Sequence, residues 1–320
     1  MDQRLTILIV GWNSAPVLPA SLAALEKISA IDAVVHYIDN HSTDNSVALV
    51  RQMLPRAQVT VLPRNVGFAQ ANNIGIAACQ TPYILLHNPD VAVNEQEIIS
   101  MLHRFEDPLV GAVQGKLLRT TRYGTWQIID SAGIELSLAL NGIERGANAI
   151  DTNQYSAEKR VLAVTGACGM FRFAALESIA YSATEFLDNG FFSYKEDVDL
   201  GWRLNNAGWH VWYLPILAGY HQRTLGRRGI FNWGMNPQQI FRRLRSPRTR
   251  FSLRNWVWLI VKNASLAQLL IHAGPILLRA SVFILLSIIY PPLLKTWFEV
   301  IAGLPTYVRR RLTQPGRVRS

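Results

Sequence analysis

The residues of this 320-residue chain best suited to chemistry are carboxylates and amides placed where apolar runs end. Asn13 follows Leu5-Thr6-Ile7-Leu8-Ile9-Val10, Asp39 follows Ala33-Val34-Val35-His36-Tyr37-Ile38, and Arg64 follows the run ending at Leu62. Asn88 and Asp90 come after Tyr83-Ile84-Leu85-Leu86, and His221 after Trp209–Leu214. Glu196, Asp197 and Asp199 open a helical pattern that Gly208 closes. Oxygen ligands of this type suit Mg2+ or Mn2+, and such a cation can stabilise the charge on a departing phosphate. A carboxylate at a helix start is kept ionised by the helix dipole, ready to take a proton from an attacking hydroxyl. Each position also has a plain structural use. Asp39 can form a turn, Arg64 can be a surface cation, Asp44 can cap the helix at Ser46, and a lone His221 can be a core residue. Asn72 and Asn73 read as loop-shaping amides, and Asp199 has Arg203 at i+4, the spacing of a helix ion pair.

The elements that must position these groups alternate. Apolar runs at 5–10, 33–38, 59–62 and 83–86 are separated by helical patterns marked by Leu18, Leu22, Leu25 and Ile28, by Val47, Val50 and Leu54, and by residues 69–79. Ser14 is placed to cap the first helix, with Pro16 near its first turn. Strands at this spacing imply βαβ crossovers and a mostly parallel sheet, which binds ligands beyond the carboxyl ends of its strands. Residues 116–160 are less regular. Val161–Val164 is predicted as a further strand, followed by small residues through Gly166-Ala167-Cys168-Gly169 that permit close backbone approach.

Hydrophobic residues make up 49% of the chain and charged residues 17%, enough apolar material for a sizeable core. Two cysteines, Cys79 and Cys168, exclude a disulfide framework and a thiolate zinc site, and a reduced, cytosolic compartment is expected. The apolar run at 5–10 is too short for a secretory leader. The net charge of +10 conceals a division: residues 1–220 carry 15 Lys and Arg against 21 Asp and Glu, a balance of −6, and residues 221–320 carry 17 against Glu299 alone, a balance of +16. A basic tail implies an anionic partner. From Trp256 to Ile301 that tail is strongly apolar, but its longest uncharged runs, 263–278 and 280–294, are split by Arg279 and fall short of the ~20 residues a spanning helix needs. Helices lying in an anionic membrane surface account for this composition; nucleic acid would leave the apolar surface unexplained and is set aside.

No G-x-G-x-x-G follows the first strand, and neither a P-loop nor H-E-x-x-H occurs, so dehydrogenase, kinase-like and zinc-protease readings lose their support. Five segments instead resemble, in order, the family 2 glycosyltransferases of GT-A fold: Ile38-Asp39-Asn40-His41-Ser42-Thr43-Asp44, Arg64-Asn65-Val66-Gly67-Phe68-Ala69, Ala71-Asn72-Asn73-Ile74-Gly75, Leu86-His87-Asn88-Pro89-Asp90 and Tyr194-Lys195-Glu196-Asp197-Val198-Asp199-Leu200. The pattern is most similar to bacterial rhamnosyltransferase-type enzymes, over residues 5–225.

The resemblance implies a GT-A catalytic domain at 1–225 and a membrane-associating helical region at 226–320, at the cytoplasmic face of the cell membrane. It implies donor contacts from Asn13, Asp39 (a nucleobase imide), Arg64, Asn88 and Asp90. It also implies a divalent cation, Mg2+ or Mn2+, on Asp90 and His221, although Asn88 stands where the family usually has a second acid. Asp197 matches the family's base position with Glu196 in support, and Trp202 and Trp209 are candidates to wall the acceptor side. The implied reaction is inverting transfer of a sugar, rhamnose from dTDP-rhamnose before a UDP-hexose or UDP-galactofuranose, onto a lipid-linked or cell-surface glycan. The rival readings are a sugar-phosphate nucleotidyltransferase, for which Gly11-Trp12-Asn13-Ser14 supplies no activating loop, and a non-catalytic membrane-binding protein.

Overall fold

The computed structural model describes residues 5–120, 127–222, 242 and 244–316. Four parallel strands form its first half: β1 (Leu5–Gly11) pairs with β2 (Ala33–Asp39) and with β4 (Tyr83–His87), and β2 pairs with β3 (Gln58–Val61). Between them run α1 (Leu18–Leu25), α2 (Ser46–Met53) and α3 (Phe68–Ala77). Every residue of β1 is buried, as a central strand covered on both faces requires. The β1 to α1 connection differs from expectation: Ser14 accepts the N–H groups of Val17 and Leu18 through its carbonyl rather than capping with its side chain, and the helix begins at Leu18.

The second half extends the sheet through strands whose apolar patterns are broken. After β5 (Val91–Val93), α4 (Glu95–His103) leads to β6 (Val110–Arg119), all ten of whose residues are buried. Its polar residues hid it. Gln114 is satisfied by Ser131 Oγ at 2.8 Å and by the Thr165 N–H at 2.7 Å, and Lys116 by Asp151 at 2.7 Å. Beyond β7 (Ile129–Ser131), β8 (Ile134–Leu136) pairs with β9 (Gly142–Glu144) as a separate hairpin. Val161–Val164 does not form the expected strand; Ala163 alone makes an isolated bridge, to Ile134. The strand roles fall on β10 (Lys159–Arg160) and on β11 (Cys168–Arg172), which runs antiparallel between β4 and β6. Finally β12 (His210–His221) continues past Pro215, where register shifts against β6 absorb the missing N–H, so His221 ends the strand rather than following it. The path reads β10-β12-β6-β11-β4-β1-β2-β3, a ten-stranded sheet with β5 and β7 as branches.

Helices α5 (Phe173–Ser178) and α6 (Glu196–Asn206) complete this body, α6 ending before Gly208 at φ +88°. The expected domain boundary at 225, the basic stretch opening the tail and Arg317 lie wholly or largely outside the described residues. The tail folds as α7 (Pro247–Asn263), α8 (Leu266–Ile271), α9 (Ala273–Ile289) and α10 (Leu294–Leu312). Among the described residues no helix is long and apolar enough to cross a membrane. Helix α7 shares one core with the sheet-bearing body: Leu253, Trp256 and Leu259 pack with Ile134, Phe191, Val198 and Trp202. Each such side chain, fully buried, contributes roughly 1.5–3 kcal/mol.

Candidate active site

A cleft of about 560 Å³ opens at the carboxyl ends of β1 and β4 and at the start of α6. Asn13, Asn88 and Asp90 line it from the strand ends, and Glu196 and Asp197 from the helix. The two carboxylates with opposite expected tasks, Asp90 and Asp197, therefore face one cavity.

On the strand side, β12 delivers His221 to Asp90, with Nε2 and Oδ1 3.1 Å apart. The other ring nitrogen, Nδ1, lies 2.7 Å from Asp130 Oδ2, and Asp130 Oδ1 is 3.2 Å from Arg119 Nε. Burial disfavours the imidazolium, but hydrogen bonds and charge from Asp130 and Asp90 outweigh it and hold His221 above its ordinary value. Cis ligands of an octahedral ion with bonds of about 2.1 Å sit about 3 Å apart, so the atoms that share a proton here have the spacing to share a divalent cation. With such a cation bound, Asp130 would be the partner that orients His221. Among the described residues no group of three or more His, Cys, Asp or Glu is arranged to hold a metal ion, so this chain would supply two ligands. Diphosphate oxygens and water would complete the shell, the usual arrangement for Mg2+.

On the helix side, Glu196 and Asp197 are neighbours in unlike surroundings. Glu196 is 7% exposed and its Oε2 has no hydrogen-bond partner among the described residues. Burial first, then the adjacent Asp197 charge, pushes its carboxyl from 4.5 to about 8. Asp197 is half-buried and is steered by backbone: Oδ1 accepts from Val198 N–H at 2.8 Å and Oδ2 faces Gly166 N–H at 3.4 Å. The approach to this helix is strained. Phe192, Tyr194 and Lys195 all have positive φ, at 60°, 71° and 73°, a conformation costing about 1–2 kcal/mol for a residue with a side chain. The compensation comes from α7, where the buried Asn255 Nδ2 donates to the carbonyls of Phe191, Ser193 and Tyr194 at 2.8–3.1 Å.

The remaining expected site residues divide. Asp39 is fully buried and is not on the cleft wall; Oδ2 accepts from Ser42 N–H at 2.9 Å and Oδ1 has no partner among the described residues. Arg64 is exposed and not on the cleft wall. Asn13, at φ 48°, clamps two loops by accepting from Thr43 N–H at 2.8 Å while lining the cleft. Asp44 takes the Ser46 N–H at 3.0 Å, and Asn73 bonds the 186–189 loop, both structural as expected. Asp199 pairs with Arg203 at 2.9 Å and also with Lys262 at 2.7 Å. The two tryptophans do not wall the acceptor side: Trp202 is 2% exposed within the core shared with α7, and Trp209 packs elsewhere with Nε1 donating to Ser178. Sequence reasoning missed Asp130, which lies in an irregular stretch, and Arg248 and Ser252, which enter the cleft from the tail.

The sequence profile described as "Glycosyltransferase like family 2" matches residues 3–243. An N-acetylglucosaminyltransferase of Rhizobium leguminosarum bv. viciae is 28% identical over 231 residues, 69% of this chain and 52% of that protein. The N-acetylglucosaminyl-diphospho-decaprenol L-rhamnosyltransferase of Mycobacterium tuberculosis (strain ATCC 25618 / H37Rv) is 26% identical over 247 residues, 70% of this chain and 78% of that protein. The chain spans about half the length of the rhizobial relatives it matches. Among solved structures, S. aureus TarS 1–349 superposes with a TM-score of 0.51 at 13% identity, covering 97% of this chain and 91% of that one. GalNAc-T7 with UDP, GalNAc and Mn2+ gives 0.58 at 12% identity, covering 81% and 47%. These likenesses show the GT-A fold with its mostly parallel sheet. On the extent of the profile match, the chain belongs to glycosyltransferase family 2.

Proposed function

We propose that this chain is an inverting glycosyltransferase that moves a sugar from a nucleotide donor to a hydroxyl of a lipid-linked glycan. The observation that carries the reading is the sharing of one cleft by Asp90, paired with His221, and by Asp197 at the start of α6. Asn13 and Asn88 line the donor end, and Oδ1 of the buried Asp39, without a partner among the described residues, would take a nucleobase imide N–H once uncovered. The acceptor oxygen attacks the anomeric carbon, the bond from that carbon to the diphosphate breaks, and the acceptor proton passes to Asp197. Backbone N–H groups of Val198 and Gly166 orient the Asp197 carboxylate. Glu196 keeps its own proton at neutral pH, so the pair divides into one base and one neutral neighbour. A divalent cation held by Asp90 and His221, when bound, would neutralise charge developing on the leaving diphosphate.

The mycobacterial relative's name favours rhamnose from dTDP-rhamnose and a diphospholipid acceptor. The rhizobial names favour a second reading in which the donor is a UDP-N-acetylhexosamine. Exposed apolar side chains on α8 and α9, Leu266, Leu270, Leu277 and Ile288 among them, support docking on the cytoplasmic membrane face. The test is transfer of labelled sugar from dTDP-rhamnose, UDP-N-acetylglucosamine and UDP-galactofuranose to a lipid-linked acceptor, with wild type beside Asp197→Asn. Product with one donor, lost in the variant, supports the reading; full turnover by the variant would remove its base.

A further inference from the structure

The donor end of the cleft has its chemistry in Asp90 and His221. The opposite rim, next to Asp197, carries the cations Lys195 and Arg248, the second of them from the tail. Lys195 lies on the loop before α6, and Arg248, from the first turn of α7, stands over the Tyr194 ring at 4.8 Å; both line the cleft. Behind them, on α9, the Arg279 guanidinium rests on the Trp256 ring at 5.0 Å and the Phe283 ring at 5.2 Å, and its Nε is buried with no hydrogen-bond partner among the described residues. Rings can hold a cation in place but do not neutralise it. Burial lowers Arg279, and burial followed by the Arg279 charge brings Lys195 down to about 8 despite Asp197 and Glu196. Lys195 and Arg248 thus bring two cations to the cleft, with the Arg279 guanidinium behind them. The helix that supplies Arg279 also exposes Leu277, Leu278, Ile284 and Ile288. A ligand meeting both features would carry phosphate next to an apolar chain.

We propose that Lys195, Arg248 and Arg279 form a subsite for the diphosphate of a lipid-linked acceptor, with the apolar side chains of α9 taking the start of its lipid. This deepens the acceptor assignment made above and rests on it. Charge-assisted hydrogen bonds fix the acceptor diphosphate here, which brings the attached sugar hydroxyl to Asp197. Donor diphosphate is handled at the Asp90 end.

The test is equilibrium binding to the full chain of farnesyl diphosphate, farnesol and dTDP as probes, for wild type, Arg279→Gln, Arg248→Gln and Arg279→Lys, with folding checked by circular dichroism. Wild type is expected to bind farnesyl diphosphate well above farnesol. Either glutamine variant should weaken farnesyl diphosphate roughly ten- to a hundredfold, the scale of a hydrogen bond to a charged group, with dTDP affinity within about twofold and partial retention in Arg279→Lys. A parallel loss of dTDP affinity would assign the cations to the donor and overturn the proposal. So would equal binding of farnesyl diphosphate by wild type and both glutamine variants. If sugar transfer to a lipid-linked acceptor proceeds with unchanged acceptor KM in these variants, the subsite fails while the transferase reading stands; absence of transfer from every donor would count against that reading alone.

Discussion

Glu196 and Asp197 show how much a one-residue step along a helix start changes a carboxyl group. Both reach the cleft, but Asp197 is half-buried with two backbone N–H groups on it, whereas Glu196 is almost wholly buried with one oxygen unmatched among the described residues. Asp197→Asn should lower kcat by about 10²- to 10⁴-fold, the worth of a positioned base, with donor affinity little changed by titration. For Glu196 the folded state binds a proton more tightly than the unfolded chain does. Its contribution to stability is whole below its ordinary 4.5, declines as pH rises, and is gone above about 8. Thermal melts from pH 5 to 9 should therefore show Glu196→Gln gaining on wild type up to about pH 8 and levelling off beyond it, by an amount on the order of a few kcal/mol at the upper end. A difference that stays constant with pH would contradict this account. At this scale the sequence was legible where local pattern implied a position: Asp90 and Asp197 reach one cleft, and Asp199 pairs with Arg203. Asp130 was not, because its role depends on His221, 91 residues away, and nothing near it in the chain marks it.

At the scale of elements, α6 is held from outside the catalytic half by a buried ionic knot. Lys262 on α7 bonds Asp188 at 2.5 Å and Asp199 at 2.7 Å, and Arg310 on α10 reaches both Asp188 and Glu185. Burial opposes the Lys262 charge, but Asp188 and Asp199 more than offset it and raise the group above its ordinary value. Lys262→Met would leave both carboxylates without this counter-charge and should cost about 3–5 kcal/mol, read as a lower urea midpoint with unchanged slope. Asn255→Ala should cost about 1–3 kcal/mol by leaving loop carbonyls unmatched, and should lower kcat because that loop presents Glu196 and Asp197. The elements themselves were readable where apolar runs were clean, as in β1, β2 and β4. They were unreadable where tertiary partners excuse a polar residue or a proline. Gln114 and Lys116 conceal β6, and Pro215 falsely ends β12, although a bulge carries the strand on to His221.

For the whole molecule, composition implied a basic, apolar tail apart from the catalytic domain, yet α7 supplies core, loop support and cleft wall together. A chain ending at residue 245 would expose Trp202 and Phe191 and leave Asp188 and Asp199 without Lys262. It should lose cooperative melting, so truncation is no test of membrane docking. The suitable test keeps the fold: Leu277→Ser, Leu278→Ser and Ile288→Ser together should reduce cosedimentation with anionic liposomes while circular dichroism stays unchanged. Equal sedimentation would exclude α9 as the docking surface.

The Asp188 knot also orders events during synthesis. When the ribosome has made every carboxylate of the cleft, Lys262 and Arg310 are still untranslated, and α6 has Arg203 but not yet the counter-charges that α7 and α10 bring to Asp199 and Asp188. Domains that complete themselves early can work while the rest is being made; here competence must wait for α10. A nascent polypeptide stalled before that helix would hold the reactive groups in its sequence but not in register, and would be inert toward nucleotide sugars.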